Sequence, residues 1–178
     1  VDWNVDVLQR LLRQIVAKRK VSRSSQARAD PASSLELKTR KFRTVSAEVK
    51  EVIDLPKLDS EAAIHQADPE LIVLGPEVVG QLQDYVKTIA SSYNDNHFHS
   101  FEHASHVTMS AYSLLSGIVA TAHVGISSSG NISSSTNEIH NHTYAIASDP
   151  LVQFAIVFSA LIHDVEHSGV PNAQLVKE

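Results

Sequence analysis

Apolar and polar residues repeat with a helical period in the first segment of the chain. Between residues 3 and 17 an apolar side chain recurs every three or four positions, at Val5, Leu8, Leu11, Leu12, Ile15 and Val16. This spacing predicts an amphipathic helix, and the basic run Lys18-Arg19-Lys20 suits its carboxyl end because cations are favoured there. Residues 21–43 are polar, basic and Ser-rich and predict a linker. We therefore expect residues 1–20 to be a helical appendage that connects to an upstream domain.

Residues 44–178 carry further helical patterns and are expected to form one domain. The stretch from Val45 to Ile53 predicts a short helix. The clearest helix starts after Gly75, with Pro76 in its first turn, and the run Asn94-Asp95-Asn96 ends it. Its apolar positions are Val79, Leu82, Val86, Ile89 and Tyr93.

Two more helices are expected on either side of a low-complexity loop. The first should run from about His99 to Val119, with the apolar stripe Ala104, Val107, Ala111, Leu114, Leu115 and Ile118. Residues 127–142, SSSGNISSSTNEIHNH, cannot bury a core. The pair Asp149-Pro150 then provides a helix cap, and LVQFAIVFSALI follows. This run fits a helix buried on every side better than a buried strand, and no segment shows strand alternation, so the fold should be all-α.

The composition indicates a soluble globular domain and limits the residue types that could bind a metal. The chain has 178 residues, 43% hydrophobic and 20% charged, which is typical of a soluble globular domain, and no apolar run approaches a membrane span. Cysteine is absent, so any metal must be held by His, Asp or Glu, and a reducing compartment is favoured. These features predict a cytoplasmic location without a membrane span in this segment.

The net charge of −5 is unevenly distributed along the chain. Residues 1–43 carry eleven Lys/Arg against four Asp/Glu, whereas residues 44–178 carry four against sixteen. A basic segment can indicate a nucleic-acid partner, but this one lacks interleaved aromatic residues, so a solvated linker is the better interpretation. The acidic part suits bound cations, and no nucleic acid is expected as a partner.

Two histidine-rich stretches carry the candidate chemistry. The first, HFHSFEHASH at residues 97–106, would place His99, His103 and His106 on one face of a helix. The second, HDVEHSG at residues 163–169, follows the long apolar run, where ionisable groups are costly unless compensated. A solvent-exposed helix end capped by Gly169 would explain the second stretch without any ligand. The alternative is that two adjacent helices direct imidazoles and a carboxylate into one space, which suits zinc together with magnesium or manganese.

These two stretches resemble a known family. HSFEHASHV (99–107) is similar to the HNxxHAxxV signature of class I cyclic nucleotide phosphodiesterases, and ALIHDVEHSGVPNAQLV (160–176) is similar to their HDxDHxGxxN segment. The resemblance reaches back to about Leu74 and is closest to domains fused to receptor-type nucleotide cyclases. It implies the N-terminal portion of an all-α HD-type metal phosphohydrolase domain, within a longer and in that case membrane-anchored signalling protein.

The resemblance also implies residue roles and a cyclic nucleotide substrate. His99 would be the general acid, and His103, His163 and Asp164 would hold a first metal, typically zinc. Asp164 would also bridge to a second metal, magnesium or manganese. His167 and Asn172 would lie behind the ligands and orient them. The chain departs from the family pattern at Ser100, Glu166 and His106, none of which is a metal ligand in the family.

The family's catalytic domain continues beyond the segment present here. It supplies a further aspartate ligand and a glutamine that clamps the purine, and neither lies before Glu178. We therefore expect a partial domain that is inactive alone, and a preference between cAMP and cGMP is not predicted. Two alternatives stay open: another HD-group metal phosphohydrolase, or a metal-binding regulatory module without catalysis.

Overall fold

The computed structural model of the chain describes residues 1–26, 68–128, 140 and 142–175. Over these residues the chain forms helices and no strand, so the expected all-α fold is confirmed. The predicted helix at 45–53, residues 27–43 of the predicted linker and most of the Ser-rich loop lie outside the described residues. The α-helices are α1 (Asp2–Gln26), α2 (Pro76–Ser91), α3 (Phe101–Ser128), α4 (Pro150–Ile162) and the short α5 (Asn172–Leu175), and a 3-10 turn (Pro69–Leu71) precedes α2.

Helices α2 and α4 begin where their capping residues and prolines predict. Gly75 precedes α2, with Pro76 in its first turn. Asp149 precedes α4, and its carboxylate accepts a hydrogen bond from the Leu151 N–H at 2.9 Å. The same carboxylate lies 3.3 Å from Lys18 Nζ of α1. Asp149 therefore both starts α4 and ties its amino end to α1.

Helices α1 and α3 run further than the sequence predicts. Helix α1 continues past Lys20 to Gln26, and α3 continues past Val119 to Ser128. No Gly or Pro stands between Lys20 and Gln26, so the serines there weaken the helix without ending it. In α3 each glycine costs about 1 kcal/mol relative to alanine, which a long helix tolerates. The predicted helix ends at Lys20 and Val119 are therefore too early.

The core lies where α1, α3 and α4 meet, and α2 packs against α1. Helix α1 contributes much of the face that its apolar spacing predicts, so it is a packed part of the fold and the expectation of an appendage is wrong. Its further role as a connector to an upstream domain stays a prediction. The core residues are Val5, Val7, Leu8 and Leu11 of α1, Val86 and Ile89 of α2, Leu115 of α3, and Val157 and Leu161 of α4.

Helix α4 is buried on one side rather than all round. Its buried positions after Pro150 are Gln153, Val157 and Leu161, which face α1 and α3. On the other side Leu151 is 54% exposed, and Ile162 is exposed as well. The expectation of a fully buried helix is therefore wrong for the described part of the chain, because its neighbouring helices there cover a single face.

Helix α3 buries a stripe that is rotated from the predicted one. Ala104, Thr108 and Leu115 are buried, whereas Leu114, predicted to be in the core, is 69% exposed. Thr108 is accommodated because its hydroxyl donates to the Ala104 carbonyl at 2.7 Å, which satisfies the buried polar group. None of the helices in the described ranges combines the length and the apolar character that a membrane crossing requires.

Candidate metal and acid–base site

The loop before α3 positions the start of the first histidine cluster, residues 97–106. His99 lies just before the helix rather than in it, which corrects the expectation of a helical face shared with His103 and His106. Ser100 is the residue before α3, and its hydroxyl accepts a hydrogen bond from the backbone N–H of His103 at 3.2 Å. Serine and asparagine are comparable N-caps, so the departure from the resembled signature at Ser100 leaves the helix capped. His106 is exposed and lies outside the cluster described below.

The second histidine cluster, residues 163–169, lies in consecutive turns beyond the end of α4. The helix ends at Ile162, and the next hydrogen bonds run from Val165 N–H to the Ile162 carbonyl and from His167 N–H to the Asp164 carbonyl, both at 3.1 Å. Glu166 has a φ of 61°, and its N–H donates to the Ser92 carbonyl at 3.1 Å.

Helical spacing predicts that His163 and His167 lie on one face, but these turns place the two side chains apart. His163 faces His103, with ring centres 5.7 Å apart, whereas His167 stacks on His99 at 3.7 Å. The expectation that His163 and His167 follow each other by one helical turn is therefore wrong, and each histidine has a different partner from the first cluster.

One oxygen of Asp164 lies at the centre of the histidines. Its Oδ2 atom is 2.9 Å from His99 Nδ1, 3.0 Å from His163 Nε2 and 3.9 Å from His103 Nε2. The Asp164 side chain is 12% exposed. Burial alone would raise the pKa of Asp164, but the hydrogen bond from His99 and the electrostatic effect of His163, His99 and His167 outweigh it and lower this pKa below its usual range. The carboxylate is therefore held ionised, as a metal ligand must be.

The hydrogen bonds of His163 determine which ring nitrogen faces the carboxylate as an acceptor. His163 Nδ1 lies 2.8 Å from the Ala160 carbonyl, which can only accept, so Nδ1 carries the proton in the neutral ring. Its Nε2 then turns a lone pair toward Asp164 Oδ2 at 3.0 Å. Two lone-pair atoms at this distance repel each other unless a proton or a cation lies between them.

The trio His103, His163 and Asp164 fits a divalent cation. One ligand atom from each residue lies within 4.8 Å of the other two. The proton on His163 Nδ1, held by a backbone carbonyl, is the arrangement that orients histidine ligands in metalloproteins. Two imidazoles with one carboxylate are ligands that suit zinc, with a position left for water.

A second trio, His99, Asp164 and His167, is close enough to hold a metal but is occupied by hydrogen bonds. His99 Nδ1 donates to Asp164 Oδ2, and the backbone N–H of Gly169 donates to His167 Nδ1 at 3.0 Å. With Nδ1 of His167 accepting, its Nε2 carries the proton in the neutral ring and is a donor. This trio is therefore a network of hydrogen-bonded ionisable groups beside the trio His103, His163 and Asp164, which is called the metal trio below.

The structure brings together five of the six predicted site residues. A cleft of 470 Å³ lies beside them, lined by His99, His163, Asp164, His167, Gly169, Val170 and Pro171. Asn172 begins α5, and its side chain is not among those described. The roles assigned to these residues stay predictions.

Sequence reasoning missed the residues that hold the clusters in place. Asn94 Nδ2 donates to the His167 carbonyl at 3.1 Å, and Asn96 Oδ1 accepts from the backbone N–H groups of Phe98 and His99. Phe98 packs its ring 4.6 Å from that of His103. The run Asn94-Asp95-Asn96 predicts only a helix end, although asparagine's tendency to bond nearby backbone is a signal for such a loop.

The comparison with known families covers this site. Residues 98–178 match the sequence model of the 3'5'-cyclic nucleotide phosphodiesterase family, and this range contains every histidine and carboxylate of both trios. This match supports a fragment of a class I cyclic nucleotide phosphodiesterase catalytic domain over residues 98–178. The predicted family is thereby confirmed, although the match begins at residue 98 and not at Leu74. No curated protein and no solved structure matches the chain.

The matched segment contains all of α3 and α4, and both trios lie at the start of α3 and after the end of α4. The family is metal-dependent, and the trios supply groups that can bind a metal. Helices α1 and α2 lie outside the matched range, but they support it through the core.

Proposed function

We propose that this chain is part of a catalytic domain that hydrolyses 3',5'-cyclic nucleotides, cAMP or cGMP, to 5'-nucleotides by a two-metal mechanism. The observation that supports it most directly is the position of Asp164 Oδ2, which lies within 3.9 Å of nitrogens from three histidines. Imidazole nitrogens and an ionised carboxylate oxygen gathered at one point are ligands that suit a divalent cation. The family match supplies the class of substrate.

His103, His163 and Asp164 would hold the first cation, zinc. Asp164 has two carboxylate oxygens and would also help to hold a second cation, magnesium or manganese. When bound, the two cations supply Lewis-acid polarisation of the phosphate and a water that ionises near neutral pH. The carboxylate contributes the negative charge that both cations need.

His99 would supply the proton that the leaving group requires. Attack of a water oxygen on phosphorus breaks the bond from phosphorus to O3', and the departing O3' takes up one proton. His99 Nδ1–H is held by Asp164, so Nε2 is the atom that can donate to O3'. A positioned acid of this kind contributes about 10²- to 10⁴-fold in rate. His167, stacked on His99, would fix the ring plane and offer its own Nε2–H to a phosphate oxygen or water.

A direct test compares two histidines of α3 that are close in sequence. His103→Ala in the complete catalytic domain should abolish hydrolysis of cAMP and cGMP and reduce bound zinc, whereas His106→Ala, at an exposed position, should change neither. Turnover assays with elemental analysis measure both. Hydrolysis of other phosphate esters alone would indicate a different HD-group hydrolase, and zinc binding without any hydrolysis would indicate a regulatory module.

We also propose that residues 1–178 alone bind zinc without turning over substrate. Three ligands can hold zinc with water in the open position, so calorimetric titration should give at most about one zinc per chain. A single carboxylate holds magnesium weakly without help from substrate phosphates, so the second site should stay empty. Hydrolysis of either cyclic nucleotide by residues 1–178 would contradict this.

A further inference from the structure

Asn96 makes two hydrogen bonds to the backbone that carries the proposed acid. Its Oδ1 atom accepts from the N–H of Phe98 at 3.0 Å and from the N–H of His99 at 3.2 Å. Since His99 lies before α3, no intrahelical hydrogen bond holds its backbone N–H. The Asn96 side chain is therefore the described partner that holds this N–H in place.

The same side chain is packed against the turn that follows the second cluster. Gly169 has a φ of 80°, and a β-carbon placed on it would lie 2.6 Å from Asn96 Nδ2. A β-carbon there would require the end of the Asn96 side chain to shift, and the positive φ independently favours glycine. The Gly169 N–H in turn donates to His167 Nδ1, and the His167 ring stacks on His99.

Asn96 thus contacts both elements that define the orientation of His99. One contact acts through the backbone of His99 itself, and the other acts through Gly169 and the stacked ring of His167. Asn94 adds a bond from the same loop to the His167 carbonyl at 3.1 Å. Asp95 stands between these two asparagines and is exposed, which makes it a suitable control position for a substitution in this loop.

We propose that Asn96 is a positioning residue for proton donation by His99, acting through the two backbone hydrogen bonds and the contact with Gly169. This inference rests on the proposed function of His99 as the general acid. A 1 Å displacement of a catalytic group can cost about 100-fold in rate even when the altered residue does not contact substrate. The metal trio is held by α3 and by the turn at His163, so zinc binding should not depend on Asn96.

The first measurement needs no activity. In residues 1–178, Asn96→Ala should speed hydrogen exchange at the amides of Phe98 and His99, while the amides in the middle of α2 keep their protection. Asn96→Asp retains an acceptor oxygen and should restore most of the protection. Asp95→Ala is the matched control and should resemble the wild type. Unchanged exchange in Asn96→Ala would overturn the proposal, and Asn96→Asp provides the comparison should the alanine variant fail to fold.

The second measurement follows turnover in the complete catalytic domain. Asn96→Ala should lower kcat on a cyclic nucleotide by about 10- to 100-fold with little change in KM or zinc content. The loss should be smaller on a nitrophenyl phosphodiester, whose leaving group needs no proton, and Asn96→Asp should recover part of kcat. Equal losses on both substrates, or loss of zinc, would overturn the positioning role. A wild-type domain that hydrolyses neither cyclic nucleotide would instead refute the proposed function, and the exchange experiment would still decide whether Asn96 holds His99.

Discussion

His163 Nε2 lies 3.0 Å from Asp164 Oδ2, although the two residues are neighbours in the chain and stand in the first turn after α4. The contact is possible because His163 Nδ1 is held by the Ala160 carbonyl, which turns the other ring nitrogen toward the carboxylate. His103 reaches the same oxygen from α3 at 3.9 Å. Two elements distant in sequence thus direct their ligand atoms to one point. The predictions below test the residues at this point and the contacts that hold them in place.

Asp164→Asn should remove metal binding while keeping the shape of the side chain. The amide lacks the negative charge that both proposed cations require, so bound zinc and magnesium should fall strongly and hydrolysis should be lost. Metal content measured by elemental analysis, alongside turnover in the complete domain, checks this.

Glu166→Gln is the matched control for that substitution, because Glu166 is an exposed carboxylate two residues further along the same turn. It should leave metal content and turnover near the wild-type values. Equal metal content in Asp164→Asn and the wild type would remove Asp164 from the site.

His99→Gln should separate proton donation from metal binding. Glutamine keeps a hydrogen-bonding side chain but cannot donate a proton as an acid, so kcat on a cyclic nucleotide should fall by about 10²-fold or more. Zinc content should stay near that of the wild type, because His99 Nδ1 contacts Asp164 as a hydrogen-bond donor. On a nitrophenyl phosphodiester the loss should shrink, and a loss of the same size on both substrates would speak against His99 as the acid.

Local signals in the sequence predict much of the fold. Gly75-Pro76 and Asp149-Pro150 mark helix starts because a cap and a fixed φ act within one turn, and both starts are found as predicted. The buried face of α4 is less predictable. Its residues are apolar on every side, so periodicity cannot show which side α1 and α3 cover.

The candidate site is predictable in its residues and not in its geometry. The family resemblance nominates His99, His103, His163 and Asp164, which the structure places close together, whereas helical spacing alone also nominates His106. Helical spacing wrongly predicts a shared face for His163 and His167. The left-handed turn at Glu166 depends on the Ser92 carbonyl, a contact between distant segments that no local pattern reveals.

Tyr93→Phe should weaken the connection between the end of α2 and α4. The Tyr93 hydroxyl donates to the Leu161 carbonyl at 2.7 Å, and losing this bond should lower the free energy of unfolding by about 1 kcal/mol. Burial raises the pKa of Tyr93 above its ordinary 10.0, and the negative charge of Asp164 adds to this, against an opposing backbone hydrogen bond from Asp164.

Because the folded state favours the neutral hydroxyl, its contribution to stability is complete below pH 10.0 and is lost as pH rises through the raised pKa. Wild type should therefore lose stability above that pH more steeply than Tyr93→Phe in chemical denaturation. Tyr85→Phe, at an exposed tyrosine stacked on Phe158, is the control and should change stability by less than about 0.5 kcal/mol. Parallel alkaline curves for wild type and Tyr93→Phe would contradict the assignment.

Gly169→Ala should destabilise the fold, whereas Gly80→Ala should stabilise it. At Gly169 the φ of 80° and the position of Asn96 Nδ2, 2.6 Å from a would-be β-carbon, both oppose a side chain, and a left-handed backbone alone costs about 1–2 kcal/mol for a non-glycine residue. At Gly80, in α2, a β-carbon would meet no atom within 4 Å, so alanine should add about 0.5–1 kcal/mol through its higher helix propensity. Thermal unfolding of both variants measures whether stability falls or rises.

The double variant Asn96→Ala, Gly169→Ala tests whether these two residues interact. The steric clash should be relieved while the backbone strain remains, so the double variant should lose less stability than the sum of the two single losses. Additive losses would show that Asn96 and Gly169 do not act on each other.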